Sequence, residues 1–296
     1  MTRPDGLPDA LPDALIVRLR RRGLLPEADA MPLAGGRSNR VWRIGDRVLK
    51  LYDPGAATPL FANDAAREAS CLTALSGTGL APAPVAADPG AAVPWVLYHH
   101  LPGACWTGDA AQVAQLLGRL HRQPPPPDLP PGPDGSADLR RQGRAILALC
   151  PGAADLPEPV GDVPPSGRRA LVHGDPVPGN IVIGAAPALI DWQCPVAGDP
   201  TGDLAIFLSP AMQLVYRGRP LDAAECAAFR AAYPDAAVVA RYDQLTPWYH
   251  WRMAAYCRLQ AARGHRIYAA GEALERAALA ACQSSSATKS LRPTET

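Results

Sequence analysis

The sequence has almost no excess of charge of either sign: 29 Lys+Arg stand against 28 Asp+Glu, a formal net charge of +1. The electrostatic footprint of a nucleic-acid binder is missing, so any phosphate the protein holds must be held by local groups. Closely spaced cysteines are missing too. The seven, at 71, 105, 150, 194, 226, 257 and 282, lie at least 25 residues apart, which leaves no C-x-x-C pair for zinc or thiol exchange and no disulfide framework to expect. Asp5, Asp9 and Asp13 precede any apolar stretch, so the basic-then-apolar order of a secretory signal is absent. Residues 89–108 are free of charge, but Pro89, Pro94, Pro102 and two histidines exclude a membrane span there. The expectation is a soluble cytoplasmic protein with neither nucleic acid nor membrane as partner.

What the chain does have is 48% hydrophobic residues among 296, enough for a full core, and 34 Pro with 26 Gly to punctuate it with turns. The length reads as two domains or one body with two lobes. Asp13 to Arg22 sets Leu15, Ile16 and Leu19 on one helical face with Gly23 at the stop position, a leading helix. Two β-rich pieces, 40–44 and 47–52, flank Gly45-Asp46, a hairpin signal. Asn63 or Asp64 caps a helix running to Leu75, and a short strand from Trp95 to Tyr98 ends in His99-His100-Leu101-Pro102-Gly103. The pattern then turns helical. Asp109-x-x-Gln112 opens a helix with Val113, Leu116, Leu117 and Leu120 at helical spacing, which Pro124–Pro127 stops. A helix over 137–149 and a Pro/Gly-rich loop over 151–167 follow, and then three short β pieces at 170–172, 181–183 and 188–190. Helices dominate from Leu204 to a Ser-rich tail beginning at 284, which composition marks as disordered.

The sharpest signal is His173-Gly174-Asp175 followed by Asn180, with Asp191-Trp192 after the next strands. Asn occurs only at 39, 63 and 180, so composition alone yields such a match about once in a few thousand sequences. Asp and Asn are also ordinary turn residues in a Pro/Gly-rich loop. Upstream, Lys50 ends a strand and Glu68 follows within the next helix. Together these residues resemble the catalytic loop and the strand-lysine and helix-glutamate pair of the protein-kinase-like phosphotransferases. The segment Gly35-Gly36-Arg37-Ser38-Asn39 looks like the choline and ethanolamine kinases, and Gly198-Asp199-Pro200-x-x-Asp203 resembles the aminoglycoside phosphotransferase superfamily that contains them. The resemblance spans about residues 31 to 275. Asp191-Trp192-Gln193 stands where choline kinases commonly carry Asp-Phe-Glu, and no A-P-E element follows, which argues against a protein substrate.

The resemblance implies a two-lobed α+β fold: an N-lobe over 1–98 with an antiparallel sheet, a hinge linker over 99–104, a mostly helical C-lobe over 105–283 and a disordered tail over 284–296. It implies a kinase using ATP and Mg²⁺. Asp175 would orient and deprotonate the acceptor hydroxyl, while Asn180 and Asp191 would hold the metal. Ser38, Asn39, Lys50, Glu68, His99 and Leu101 would contact the nucleotide. Trp248 and Trp251, three apart on a helix, with Tyr268 on the next, match an aromatic wall for an acceptor cation, although core packing produces the same stripe. The implied substrate is a small-molecule alcohol, choline or a related amino alcohol. An aminoglycoside, thiamine or sugar kinase, or a catalytically silent nucleotide-binding relative, are the alternatives. His121, in Leu116-Leu117-Gly118-Arg119-Leu120-His121, reads as a structural hydrogen-bonding residue.

Overall fold

The computed structural model describes residues 11–33, 38–150 and 155–290, so Gly35, Gly36 and Arg37 fall outside the described residues. By packing, the chain divides into two units, one within 1–106, 125–129 and 179–195, the other within 107–124, 130–178 and 196–296. The first opens with α1 (Asp13–Arg21), β1 (Ala30–Pro32), β2 (Arg40–Ile44), β3 (Arg47–Leu51), α2 (Ala65–Ala74), β4 (Pro84–Asp88) and β5 (Trp95–His99). The five strands form an antiparallel sheet in the order β1-β2-β3-β5-β4.

A period of two sorts its layers. Trp42 and Ile44, Leu49 and Leu51, and Trp95 and Leu97 lie on one face, covered by Ile16 and Leu19 of α1. On the other face Lys50 pairs with Val96 and Val48 with Tyr98, and there α2 supplies Glu68. Asp64 caps α2, its carboxylate accepting from the Ala66 and Arg67 amides. Neither β1 nor β4 has the β-branched run that marks a strand in sequence, and both sit at sheet edges.

β6 (Ala104–Cys105) also belongs to the first unit. In the second unit, α3 (Ala110–Leu120) and α4 (Ser136–Leu147) precede β7 (Ala170–Val172). The chain then supplies β8 (Ile181–Ile183) and β9 (Pro187–Leu189) to the first unit, where they pair antiparallel with β6 in the order β6-β8-β9. Pairing across that distance in sequence groups 179–195 with the first unit, a division that a linear boundary near 104 does not express. β10 (Val196–Gly198) returns to pair with β7. Five helices complete the second unit: α5 (Thr201–Leu208), α6 (Pro210–Arg217), α7 (Ala223–Ala232), α8 (Ala236–Ala262) and α9 (Ile267–Ser290). α9 keeps helical backbone past Ser284, and 291–296 lie outside the described residues. Among the described residues no helix is long and apolar enough to cross a membrane.

Candidate active site

In the first unit the alternation that buries Leu49 and Leu51 turns Lys50 to the opposite face, toward α2. Lys50 Nζ lies 2.6 Å from Glu68 Oε2 and also bonds Asp191 Oδ1, while the Tyr52 hydroxyl donates to the same Glu68 oxygen. Lys50 and Glu68 are 2% and 1% exposed, so this ion pair is dry. Burial alone would pull Lys50 down, but the negative charges of Asp191 and Glu68 outweigh it and hold the ammonium well above its ordinary value. For Glu68, burial pushes the carboxyl up and Lys50 opposes it. Asp191 has left-handed backbone, φ 66°, a conformation that Asp tolerates better than most residues. The Ile190 amide donates to the Asn180 carbonyl at 2.9 Å, which fixes the backbone at Asn180 beside the residue preceding Asp191. The structure thus brings together Lys50, Glu68 and Asp191, with Asn180 adjoining in backbone.

Asn39 is committed to the protein itself. Its Nδ2 donates to Asn63 Oδ1 at 2.7 Å and Gln193 Oε1 at 2.5 Å, and its Oδ1 accepts from Asn63 Nδ2 at 2.9 Å and the Asp53 amide at 3.1 Å. A nucleotide contact through the Asn39 side chain, as expected from sequence, would have to break this ring of amides; the geometry makes Asn39 a brace between the turn and Gln193. Ser38 is half-buried beside it. At the end of β5, His99 donates its amide to Ala83 and its Nδ1 accepts from the Arg47 guanidinium at 2.9 Å, so its ring and its N–H both have protein partners. Leu101 is half-buried just after them. The bracing roles of Asn63 and Gln193 around Asn39, and the Tyr52 bond to Glu68, escape the sequence reading. Tyr52 carries the one positional signal for its role, its i+2 spacing from Lys50 on the same strand face.

In the second unit the His173-Gly174-Asp175 loop hangs on one carboxylate. Asp203, fully buried, accepts the His173 amide on Oδ2 and the Gly174 amide on Oδ1, both at 2.8 Å. His121 Nε2 donates to Asp203 Oδ2 at 2.9 Å, and its Nδ1 lies 2.7 Å from the Tyr233 hydroxyl. With Nε2 donating, Nδ1 of a neutral ring accepts the Tyr233 proton. Gly174 has φ 82°, a left-handed backbone that explains glycine between His and Asp. Asp175 follows, buried, its amide donating to His173 Nδ1 at 3.2 Å.

The aromatic wall does not form. Trp251 is fully buried, its indole N–H donates to the Leu156 carbonyl at 3.2 Å, and its ring lies where a Cβ on Gly143 would come within 2.1 Å of it. Trp248 is buried edge-on to Trp251, and its face is taken by the Arg140 guanidinium at 4.6 Å. Tyr268 is buried against Tyr256. The acceptor role expected of Trp248, Trp251 and Tyr268 is therefore corrected to core packing: the cation on the indole face is the protein's own.

An antiparallel sheet carrying a buried Lys-Glu pair, joined to a helical unit with a carboxylate-anchored H-G-D loop, defines a protein-kinase-like fold. The phosphotransferase enzyme family profile matches residues 29–248, and the chain belongs to that family. It is a small-molecule phosphotransferase. The fold is similar to that of a choline/ethanolamine kinase family protein from Mesorhizobium loti, at 18% identity over 91% of this chain and 94% of that one, with a TM-score of 0.54. It is also similar to the choline kinase LicA from Streptococcus pneumoniae, at 15% identity over 91% and 99%, TM-score 0.58. A third likeness is to APH(2")-IIia in its GDP and kanamycin complex, at 16% identity over 90% and 98%, TM-score 0.56. No curated protein sequence matches the chain.

Proposed function

We propose that the chain transfers the γ-phosphoryl group of ATP to the hydroxyl of a small molecule, an amino alcohol such as choline. The observation that carries the kinase reading is the buried Lys50, bonded to both Glu68 and Asp191. A dry ammonium held charged by two carboxylates suits the anionic phosphates of a nucleotide, and the protein needs little covalent chemistry beyond positioning and charge. Asp175 orients the acceptor hydroxyl and accepts its proton. Asn180 and Asp191 would hold Mg²⁺: one carboxylate and one amide oxygen on adjoining backbone fit an ion that keeps waters and phosphate oxygens for its remaining positions. When bound, the ion neutralises charge on the phosphate oxygens.

The acceptor class rests on the Gly35-Gly36-Arg37-Ser38-Asn39 sequence; the two tryptophans lend it no support, being buried. ADP release in the presence of Mg-ATP, measured across choline, ethanolamine, thiamine, an aminoglycoside and a hexosamine, tests the reading. Turnover is expected with an amino alcohol. Turnover with the aminoglycoside alone would retain the kinase and replace the acceptor, whereas no turnover together with no ATP binding would reject both.

A further inference from the structure

On the second unit a cavity of about 520 Å³ opens among Arg122, Arg168, Arg169, Tyr233, Asp235 and Val238, with Arg168 and Arg169 just ahead of the strand that leads into the 173–175 loop. Its volume lies within the range of small-ligand sites. Three guanidinium groups border it against a single carboxylate, Asp235. That carboxylate is already engaged, 2.8 Å from Arg168, which leaves Arg122 and Arg169 without an ion-pair partner among the described residues. In a chain of net charge +1, two exposed, uncompensated guanidinium groups beside a third make a local positive field, one that draws anions, that the whole molecule lacks. Guanidinium forks match phosphate oxygens bidentately. Pro200, Pro234, Val238 and the ring of Tyr233 give the cavity an apolar side that a bare inorganic ion would leave unused.

The cavity also has a wire to the chemistry. Tyr233 lines it and is otherwise buried, its hydroxyl on His121 Nδ1; His121 Nε2 is on Asp203; and Asp203 holds the amides of His173 and Gly174. We propose that this cavity binds a small organic phosphate monoester and that its occupancy is transmitted through Tyr233, His121 and Asp203 to the backbone of the 173–175 loop. An anion drawn to Arg122 and Arg169 bears on the Tyr233 hydroxyl, and any turn of that hydroxyl changes what His121 donates to the carboxylate on which the loop hangs. Binding and coupling are both measured without turnover and so do not depend on which acceptor the protein phosphorylates.

The test is a titration of the ¹⁵N-labelled full chain with glycerol 2-phosphate, and with inorganic phosphate, following the Gly174 amide. Saturable displacement of the Gly174 signal is expected, tighter for the organic ester, and persisting when ADP is already saturating. Arg122→Ala combined with Arg169→Ala should weaken binding by about tenfold or more. Arg169→Gln alone, a milder change at an exposed site, should weaken it by a smaller factor. Tyr233→Phe should bind with similar affinity but displace Gly174 by less than about half as much, since the hydroxyl relay is gone. Equal affinity in wild type and the arginine variants, or loss of binding in ADP, would overturn the site. A Gly174 displacement unchanged by Tyr233→Phe would overturn the relay.

Discussion

Lysine occurs at only two positions, 50 and 289, in a chain that uses arginine for nearly all its other cations. The difference has a physical meaning at position 50. An ammonium is compact and carries three donors in a tetrahedral arrangement, so it can reach Glu68 and Asp191 from a buried strand, whereas a planar guanidinium needs more room and a forked partner. Lys50→Met strands the Glu68 carboxylate in a dry site, and a loss of about 3–5 kcal/mol is expected in urea unfolding at neutral pH. Asp175 is buried and lies outside that ion pair, and under the proposed function it acts on the acceptor hydroxyl. Asp175→Asn should lower kcat by about 10²- to 10⁴-fold in an ADP-release assay while a nucleotide titration changes little. Equal rates for the variant and the wild type would remove Asp175 from the mechanism.

At the scale of elements, α4 and α8 interlock through small and large residues. Gly143 gives way to the Trp251 ring, and Arg140 lies on the face of Trp248. Gly143→Ala forces a methyl into space the indole already fills, which should cost about 1–3 kcal/mol in the urea midpoint. Trp251→Ala empties the same place and should cost about 3–5 kcal/mol. In both variants the KM for the acceptor in the folded fraction should stay at its wild-type value. A raised acceptor KM with unchanged stability would return Trp251 to the acceptor site.

For the molecule as a whole, stability against acid depends on carboxylates tied to guanidinium groups. Hydrogen bonds from Arg219 hold Glu225 down to about 2, and Arg258, Arg144 and Arg168 hold Asp155, Glu158 and Asp235 below their ordinary range. Each folded-state value is lower than in the unfolded chain, so the unfolded state takes up protons first as pH falls. The stability these pairs contribute is present above the unfolded carboxylate range and is lost as pH drops through it toward the lower folded values. Melting temperature should therefore decline from about pH 5 to pH 2.5. These pairs are partly solvent-exposed and individually weak, so about 1 M sodium chloride should shrink the decline. A decline of the same size in salt would assign acid sensitivity to buried groups instead.

Much of this protein is local, and local features are legible in the amino-acid sequence. The β2–β3 hairpin follows from alternation around Gly45-Asp46, α2 from a cap at Asn63 or Asp64, of which the structure uses Asp64, and α3 from Asp109 ahead of a periodic apolar face. The Lys50 and Glu68 pair could be named only through the resemblance carried by the H-G-D loop, since a strand lysine and a helix glutamate at that spacing do not by themselves indicate a contact. Other features depend on partners far along the chain. β1, β4, β6 and β10 are short and weak in β propensity, and become strands only because a neighbour offers hydrogen bonds. The Asn39–Asn63–Gln193 amide ring joins residues with no common period. Trp248 and Trp251 show the limit most plainly. Three-residue spacing places both on one side of α8, but whether that side faces a ligand or Gly143 and Arg140 is a property of helix packing, which no one-dimensional pattern encodes.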